Sequence, residues 1–146
     1  MQSAAEKIRV GAAAEAAVEA ALAAAGWEVI NLNELAKNFR FADLLAKQGS
    51  TRLFVQVKGT TTSEGKFGAL PERAQGLDSL AEHLDAIALY ALVHLTPEGP
   101  VIRFGHAQQV ASLAAERIAA YHGKLRYHLF ITDFIYEAVD LAEFVE

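Results

Sequence analysis

Thr51-Arg-Leu-Phe-Val-Gln-Val-Lys-Gly-Thr60 is the stretch from which the rest of the chain can be read. Leu53, Val55 and Val57 fall on one face of a strand, and Phe54, Gln56 and Lys58 fall on the other. Most of its residues are β-branched or aromatic, and Gly59 is expected to close it. A lysine near the end of such a strand needs a reason, because an ammonium is costly to bury unless it is paired. Eight residues before Thr51 stands Asp43, inside the apolar run Phe41-Ala-Asp-Leu-Leu-Ala46. Two neighbouring short strands would bring Asp43, Gln56 and Lys58 to one sheet edge. A carboxylate, an amide oxygen and an ammonium converging there suit a divalent metal and a phosphate.

Working outward, Gln48-Gly-Ser50 reads as a hairpin turn joining Phe41–Lys47 to Arg52–Lys58. Upstream, Trp27-Glu-Val-Ile-Asn31 reads as a first strand, and Asn31 to Arg40 as a polar loop or short helical turn. Residues 3–25 read as a long alanine-dominated helix, with Ser3 and Glu6 at capping-box spacing and an apolar stripe of Val10, Ala14, Val18 and Leu22. Gly26 ends it. Downstream, Thr60 to Gly76 is loop-like: either a mobile loop beside the site or an ordinary connector. Leu77–Leu84 suggests a short helix, Ala86–Leu95 a strand, Pro97-Glu-Gly-Pro100 a turn and Val101–Phe104 its hairpin partner. Ala107–Tyr121 has helical pattern up to Gly123, and Leu125–Ile131 reads as extended. Asp133–Glu146 shows helical spacing through Phe134, Ala138, Leu141 and Val145. This order of elements predicts an α/β sandwich with a mixed central sheet flanked by helices, in one domain over residues 1–146.

At 53% hydrophobic the chain can bury a core, but no apolar run is long enough to span a membrane. It has no cysteine, hence no disulfide framework or thiolate zinc site. The first residues lack the charged-then-apolar order of a signal peptide, so a cytoplasmic protein is expected. The net charge of −5 argues mildly against a protein that coats nucleic acid. It is unevenly spread: residues 1–73 carry nine Lys/Arg against eight Asp/Glu, residues 74–146 four against ten. Lys47, Arg52, Lys58, Lys66 and Arg73 leave room for a locally positive surface. His83, His94, His106, His122 and His128 show no metal-ligand spacing, and no nucleophile elbow or phosphate-binding G-x₄-G-K-[ST] loop occurs. Tyr121, Tyr127, Phe130, Phe134 and Tyr136 read as core and interface rather than as base-stacking platforms.

Gly11-Ala-Ala-Ala-Glu15 on the helix, Gly26-Trp-Glu-Val-Ile30, Asp43 in its apolar run and Gln56-Val-Lys58-Gly-Thr60, in that order, resemble the PD-(D/E)xK nuclease superfamily, with its restriction-endonuclease-like fold. The match covers roughly residues 8–60 and is similar to small members such as Holliday-junction resolvases. The resemblance implies a metal-dependent endonuclease acting on DNA phosphodiesters. Asp43, the Gln56 side-chain oxygen, the Val57 carbonyl and Glu15 would hold Mg²⁺ or Mn²⁺. The metal would polarise the phosphate and lower the pKa of a water, which Lys58 would orient or deprotonate, unless it neutralises the developing charge instead. Glu19, one turn beyond Glu15, competes for the helix role. Position 56 departs from the common pattern: glutamine offers an oxygen but no charge, so metal binding should be weaker. The alternative is a weakened nuclease fold serving as a nucleic-acid-binding or assembly module. One such domain reaches one strand at a time, so duplex cutting would call for a homodimer, with the C-terminal helix as a candidate contact.

Each residue also has an ordinary explanation. An aspartate at a strand start is usually a cap, a lysine at a strand end usually snorkels, and a glutamate on an alanine-rich helix usually faces water. Their order and spacing, taken together, favour a site.

Overall fold

The computed structural model describes residues 3–35, 42–68, 71–120 and 128–145. The first helix, α1, spans Ala4–Ala24 and starts where the sequence says it should, with the Ser3 hydroxyl accepting the Glu6 N–H at 3.1 Å. Ala14, Val18 and Leu22 of its apolar stripe are fully buried. Next come β1 (Glu28–Asn31), the single-turn helix α2 (Leu32–Leu35), β2 (Leu44–Gln48) and β3 (Thr51–Thr60). The β2–β3 hairpin turns on Gly49-Ser50, and Gly49 takes the φ of +61° that such a two-residue turn demands. β4 (Lys66–Phe67), α3 (Pro71–His83), β5 (Ile87–Thr96), β6 (Gly99–His106), α4 (Ala107–Ala120) and β7 (Leu129–Phe130) follow, and 3₁₀ turns at Ile131–Asp133 and Ala138–Phe144 complete the order.

The main sheet has the strand order β1-β2-β3-β5-β6, with β3 and β5 parallel and the other neighbours antiparallel. A parallel pair needs a long crossover, and α3 supplies it. Strict alternation along β3 splits the core. Leu53, Val55 and Val57 pack with Ala14, Val18 and Leu22 under α1, and Phe54 packs with Ala74, Leu77, Val110 and Ala111 under α3 and α4. The architecture is therefore an α/β sandwich with a mixed central sheet and helices on both faces, as the element order predicts. No helix among the described residues is long and apolar enough to cross a membrane.

Gly59 does not close β3, which runs on to Thr60. A Cβ at Gly59 would lie 2.7 Å from the Ala14 Cβ and 3.3 Å from the Val10 carbonyl oxygen. The glycine is there because α1 rests on the strand backbone at that point, one residue before Glu15.

Other boundaries shift for physical reasons. β2 starts at Leu44, and Phe41 lies outside the described residues, as do Tyr121, Gly123, Tyr127 and Glu146. α3 begins at Pro71, well before Leu77, because proline suits a first helical turn. Of the expected 60–76 loop, residues 61–65 form a hydrogen-bonded turn. Thr60 Oγ1 accepts the Thr62 N–H at 3.2 Å, Thr62 Oγ1 accepts the Lys66 N–H at 2.9 Å, and the His94 ring Nε2 donates to the Thr62 carbonyl at 2.7 Å.

The helix expected over Asp133–Glu146 forms only in part, as a 3₁₀ helix over Ala138–Phe144. Phe134 is drawn into the core, the Phe104 N–H donates to the Tyr136 carbonyl at 2.8 Å, and the Asp133 and Asp140 carboxylates accept the Phe130 and Glu137 N–H groups. The two carboxylates cap the starts of the short 3₁₀ helices, and the buried Phe134 and the bond to Tyr136 keep residues 134–137 out of a continuous helix. Arg117 of α4 grips Asp133 with two parallel bonds of 2.7 and 2.8 Å, which holds the carboxyl below its usual pKa. That stabilisation is fully present above the ordinary carboxylate range and is lost as the pH falls through the lowered value.

Gly59→Ala should destabilise the fold by about 1–3 kcal/mol through overpacking. Ala14→Gly in the same chain removes the clashing partner. In urea unfolding the double mutant should therefore lose less than the sum of the two single losses. Strict additivity would show that the two residues do not bear on one another.

Candidate active site

β3 outruns β2. The last pair in their ladder is Leu44–Val55, and the Asp43 N–H still donates to the Val55 carbonyl at 2.9 Å. Beyond that point the Asp43 side chain takes over the role of the missing strand: its Oδ2 accepts the Val57 N–H at 2.8 Å. In a strand a residue's N–H and C=O point to the same side, so the Val57 carbonyl also points past the end of β2.

The other Asp43 oxygen, Oδ1, accepts from Asn33 Nδ2 at 2.8 Å. The same nitrogen lies 3.3 Å from Glu15 Oε1, and Asn31 Nδ2 reaches that oxygen at 3.4 Å. α2 sets the two asparagines in place: Asn31 Oδ1 accepts the Asn33 and Glu34 N–H groups at 3.0 and 3.3 Å, acting as its cap. Glu15, rather than Glu19, is the α1 carboxylate that joins this network. Burial raises the Glu15 pKa; the Asn33 hydrogen bond opposes this, and the Asp43 charge adds to it.

Gln56 and Lys58 flank Val57 on β3, on the sheet face opposite α1. Both are half-buried, and among the described residues the hydrogen bonds that tie Glu15, Asn33 and Asp43 together do not use them. Burial lowers the Lys58 pKa, the Asp43 carboxylate pulls it back up, and Arg73 in the first turn of α3 lowers it further. Asp43 is therefore felt electrostatically by Glu15 on one side and by Lys58 on the other. Of the four side chains proposed from sequence, Glu15 and Asp43 share the Asn33 amide and Lys58 feels the Asp43 charge, whereas Gln56 is placed only by its position on β3, opposite Tyr90 of β5.

Among the described residues no group of three or more His, Cys, Asp or Glu side chains forms a metal-binding cluster. The donors here are two carboxylates with neutral oxygens around them. Such an all-oxygen set fits a hard divalent cation, weakly. The two carboxylates repel one another with only neutral amide donors between them, a situation that a cation would relieve.

Sequence reasoning missed Asn31, Asn33 and the coupling of Arg73 to Lys58. Asn31 has a signal, an N-cap residue before a short helical run. Asn33 has none, since its part depends on where Asp43 and Glu15 meet.

No family model matches the chain, and no curated protein matches it. Among solved structures the chain is similar to Archaeoglobus fulgidus Hjc, a Holliday junction resolvase from an archaeal hyperthermophile. The two are 26% identical over 67% of this chain and 73% of that chain, with a TM-score of 0.54. The mixed sheet with helices on both faces is thus shared with a PD-(D/E)xK-type nuclease fold.

The electrostatics can be tested by titrating Lys58 by NMR. Asp43→Asn should lower the Lys58 pKa further, because the supporting negative charge is gone. Arg73→Ala should raise it, because a repelling positive charge is gone. Shifts of the same sign in both variants would contradict the arrangement.

Proposed function

We propose that this chain is a divalent-metal-dependent nuclease that hydrolyses DNA phosphodiester bonds. The observation that carries the proposal is the Asp43 carboxylate, fixed at the strand end by Val57 and Asn33 and coupled to both Glu15 and Lys58. The resolvase activity named for the Archaeoglobus protein supports the substrate class. Asp43, Glu15, the Gln56 side-chain oxygen and the Val57 carbonyl would hold Mg²⁺ or Mn²⁺. When bound, that ion would supply Lewis-acid polarisation of the phosphate and a lowered pKa for the attacking water.

The chain's own residues do the rest. Lys58 Nζ, half out of water, meets a phosphate oxygen or an attacking water with little solvent to screen its charge. Its lowered pKa makes the neutral amine more accessible, so Nζ can also accept a proton. Glu15 closes the site from the helix, and Arg73 adds positive charge beside Lys58. The protein would act in the cytoplasm as one domain, pairing as a homodimer where both strands of a duplex are cut. Branched and plasmid DNA incubated with Mg²⁺ and with Mn²⁺ tests this. Asp43→Ala and Lys58→Ala should each reduce cleavage at least about a hundredfold. Cleavage that survives both substitutions would refute the site.

A second reading has its own observation. Gln56 is neutral, and the Asn33 amide stands between the two carboxylates. Both favour a weakened nuclease that binds nucleic acid or a partner protein without cutting. Gln56→Glu separates the two. In a working enzyme adapted to a neutral ligand, the added charge tightens metal binding and holds Lys58 more firmly protonated, so cleavage need not rise. In a decayed enzyme the same change creates cleavage where the parent has none, and Lys58→Ala in that background removes it again. New cleavage that is indifferent to Lys58 would show that Gln56-Val-Lys58 is not the reactive motif.

A further inference from the structure

Asn33 is not among the metal ligands in that scheme, yet its side chain touches both carboxylates, Asp43 Oδ1 at 2.8 Å and Glu15 Oε1 at 3.3 Å. Ionised carboxylates only accept hydrogen bonds, so between them an amide must turn its nitrogen inward. The amide's two ends, however, are nearly the same size and shape. Half a turn about the Cβ–Cγ bond exchanges Nδ2 for Oδ1 and leaves the backbone where it was. That backbone is pinned: the Asn33 N–H donates to Asn31 Oδ1 at 3.0 Å, and the preceding Leu32 N–H donates to the Asp43 carbonyl at 2.8 Å. Asn31 Nδ2 also reaches Glu15 Oε1, at 3.4 Å, and its contact does not depend on which way the Asn33 amide is turned.

The geometry points to Asn33 as a further ligand of the cation site, an assignment that rests on the metal-site reading above. Without a cation its nitrogen bridges the carboxylates and lessens their repulsion. With a cation its oxygen faces the same place, and the rotated nitrogen turns away from the positive charge. The donor set then comprises two carboxylates, the amide oxygens of Gln56 and Asn33, and the Val57 carbonyl. A second neutral oxygen adds to the number of ligands where glutamine at position 56 brings no charge. All of these are the hard oxygen donors that Mg²⁺ and Mn²⁺ take.

The opposite role is a strut: an amide that must be expelled before a cation can enter. The two roles predict opposite signs. Calorimetry with Mn²⁺ on the full chain compares wild type, Asp43→Ala and Asn33→Ala. Loss of binding in Asp43→Ala establishes the site; no binding in wild type, or unchanged affinity in Asp43→Ala, overturns the site and this inference together. With the site established, a ligand role predicts that Asn33→Ala weakens Mn²⁺ binding at least about tenfold. Unchanged or tighter binding overturns the ligand role alone and leaves the site standing. If Asn33→Ala fails to fold, the wild-type protein still decides. The Asn33 side-chain ¹³Cγ and ¹⁵Nδ2 resonances should move as diamagnetic Mg²⁺ saturates the site, and resonances that stay fixed at saturation overturn the assignment.

Discussion

The arrangement depends on one mismatch: β3 is longer than the strand beside it. Where β2 stops, the Val57 N–H would be left without a ladder partner, and the Asp43 carboxylate fills the gap. All four polar atoms of Asp43 are engaged. Its N–H donates to Val55, its carbonyl accepts from Leu32, Oδ2 accepts from Val57 and Oδ1 accepts from Asn33. One residue therefore ties β3 to α2 and, through Asn33, to α1. A half-buried carboxylate is tolerable because each oxygen accepts a hydrogen bond, and bonds to charged groups contribute about 1.5–3 kcal/mol each.

The same mismatch resolves a conflict between faces. Alternation along β3 sends Val57 toward α1 and Lys58 toward α3, so Glu15 and Lys58 approach from opposite sides of the sheet. On a continuous sheet they would be kept apart by its full thickness. On the side where β2 has stopped there is no strand to separate the faces, and a short carboxylate in the sheet's own plane can interact with both. The contact of α1 with Gly59 fixes the depth of one side. The first turn of α3, carrying Arg73, bounds the other.

What could be read from the sequence follows from how local each constraint is. The alternation of Leu53, Val55 and Val57 against Phe54, Gln56 and Lys58 is a property of ten consecutive residues, and it split the core as expected. The Ser3 cap and the Gly49 turn are equally local. Glu15, Asp43 and Lys58 are named from a resemblance, and the structure couples Asp43 to the other two. Gly59 was misjudged because its role is set by a helix more than forty residues away. The C-terminal segment has genuine helical spacing, realised only as 3₁₀ helix over Ala138–Phe144, because the buried Phe134 and the Tyr136 bridge to β6 hold the residues before it, and neither constraint is written in the segment itself. Asn33 was invisible for the same reason: it matters only because two distant carboxylates converge on it.

A neutral residue at position 56 is then less of a defect than a motif comparison suggests. The two carboxylates already repel one another enough to help raise the Glu15 pKa. A third, on the strand beside Val57, would add to that repulsion and hold Lys58 more firmly in its charged form. With Gln56 in place, two carboxylates, the Lys58 ammonium, the Arg73 guanidinium and one divalent cation would leave the proposed site with two net positive charges, which attract a phosphodiester. With glutamate there, the balance would fall to one positive charge, and the pull on the substrate would weaken as the grip on the cation tightened. Under the proposed function, the choice between glutamine and glutamate at this position would thus trade affinity for the metal against affinity for the phosphate.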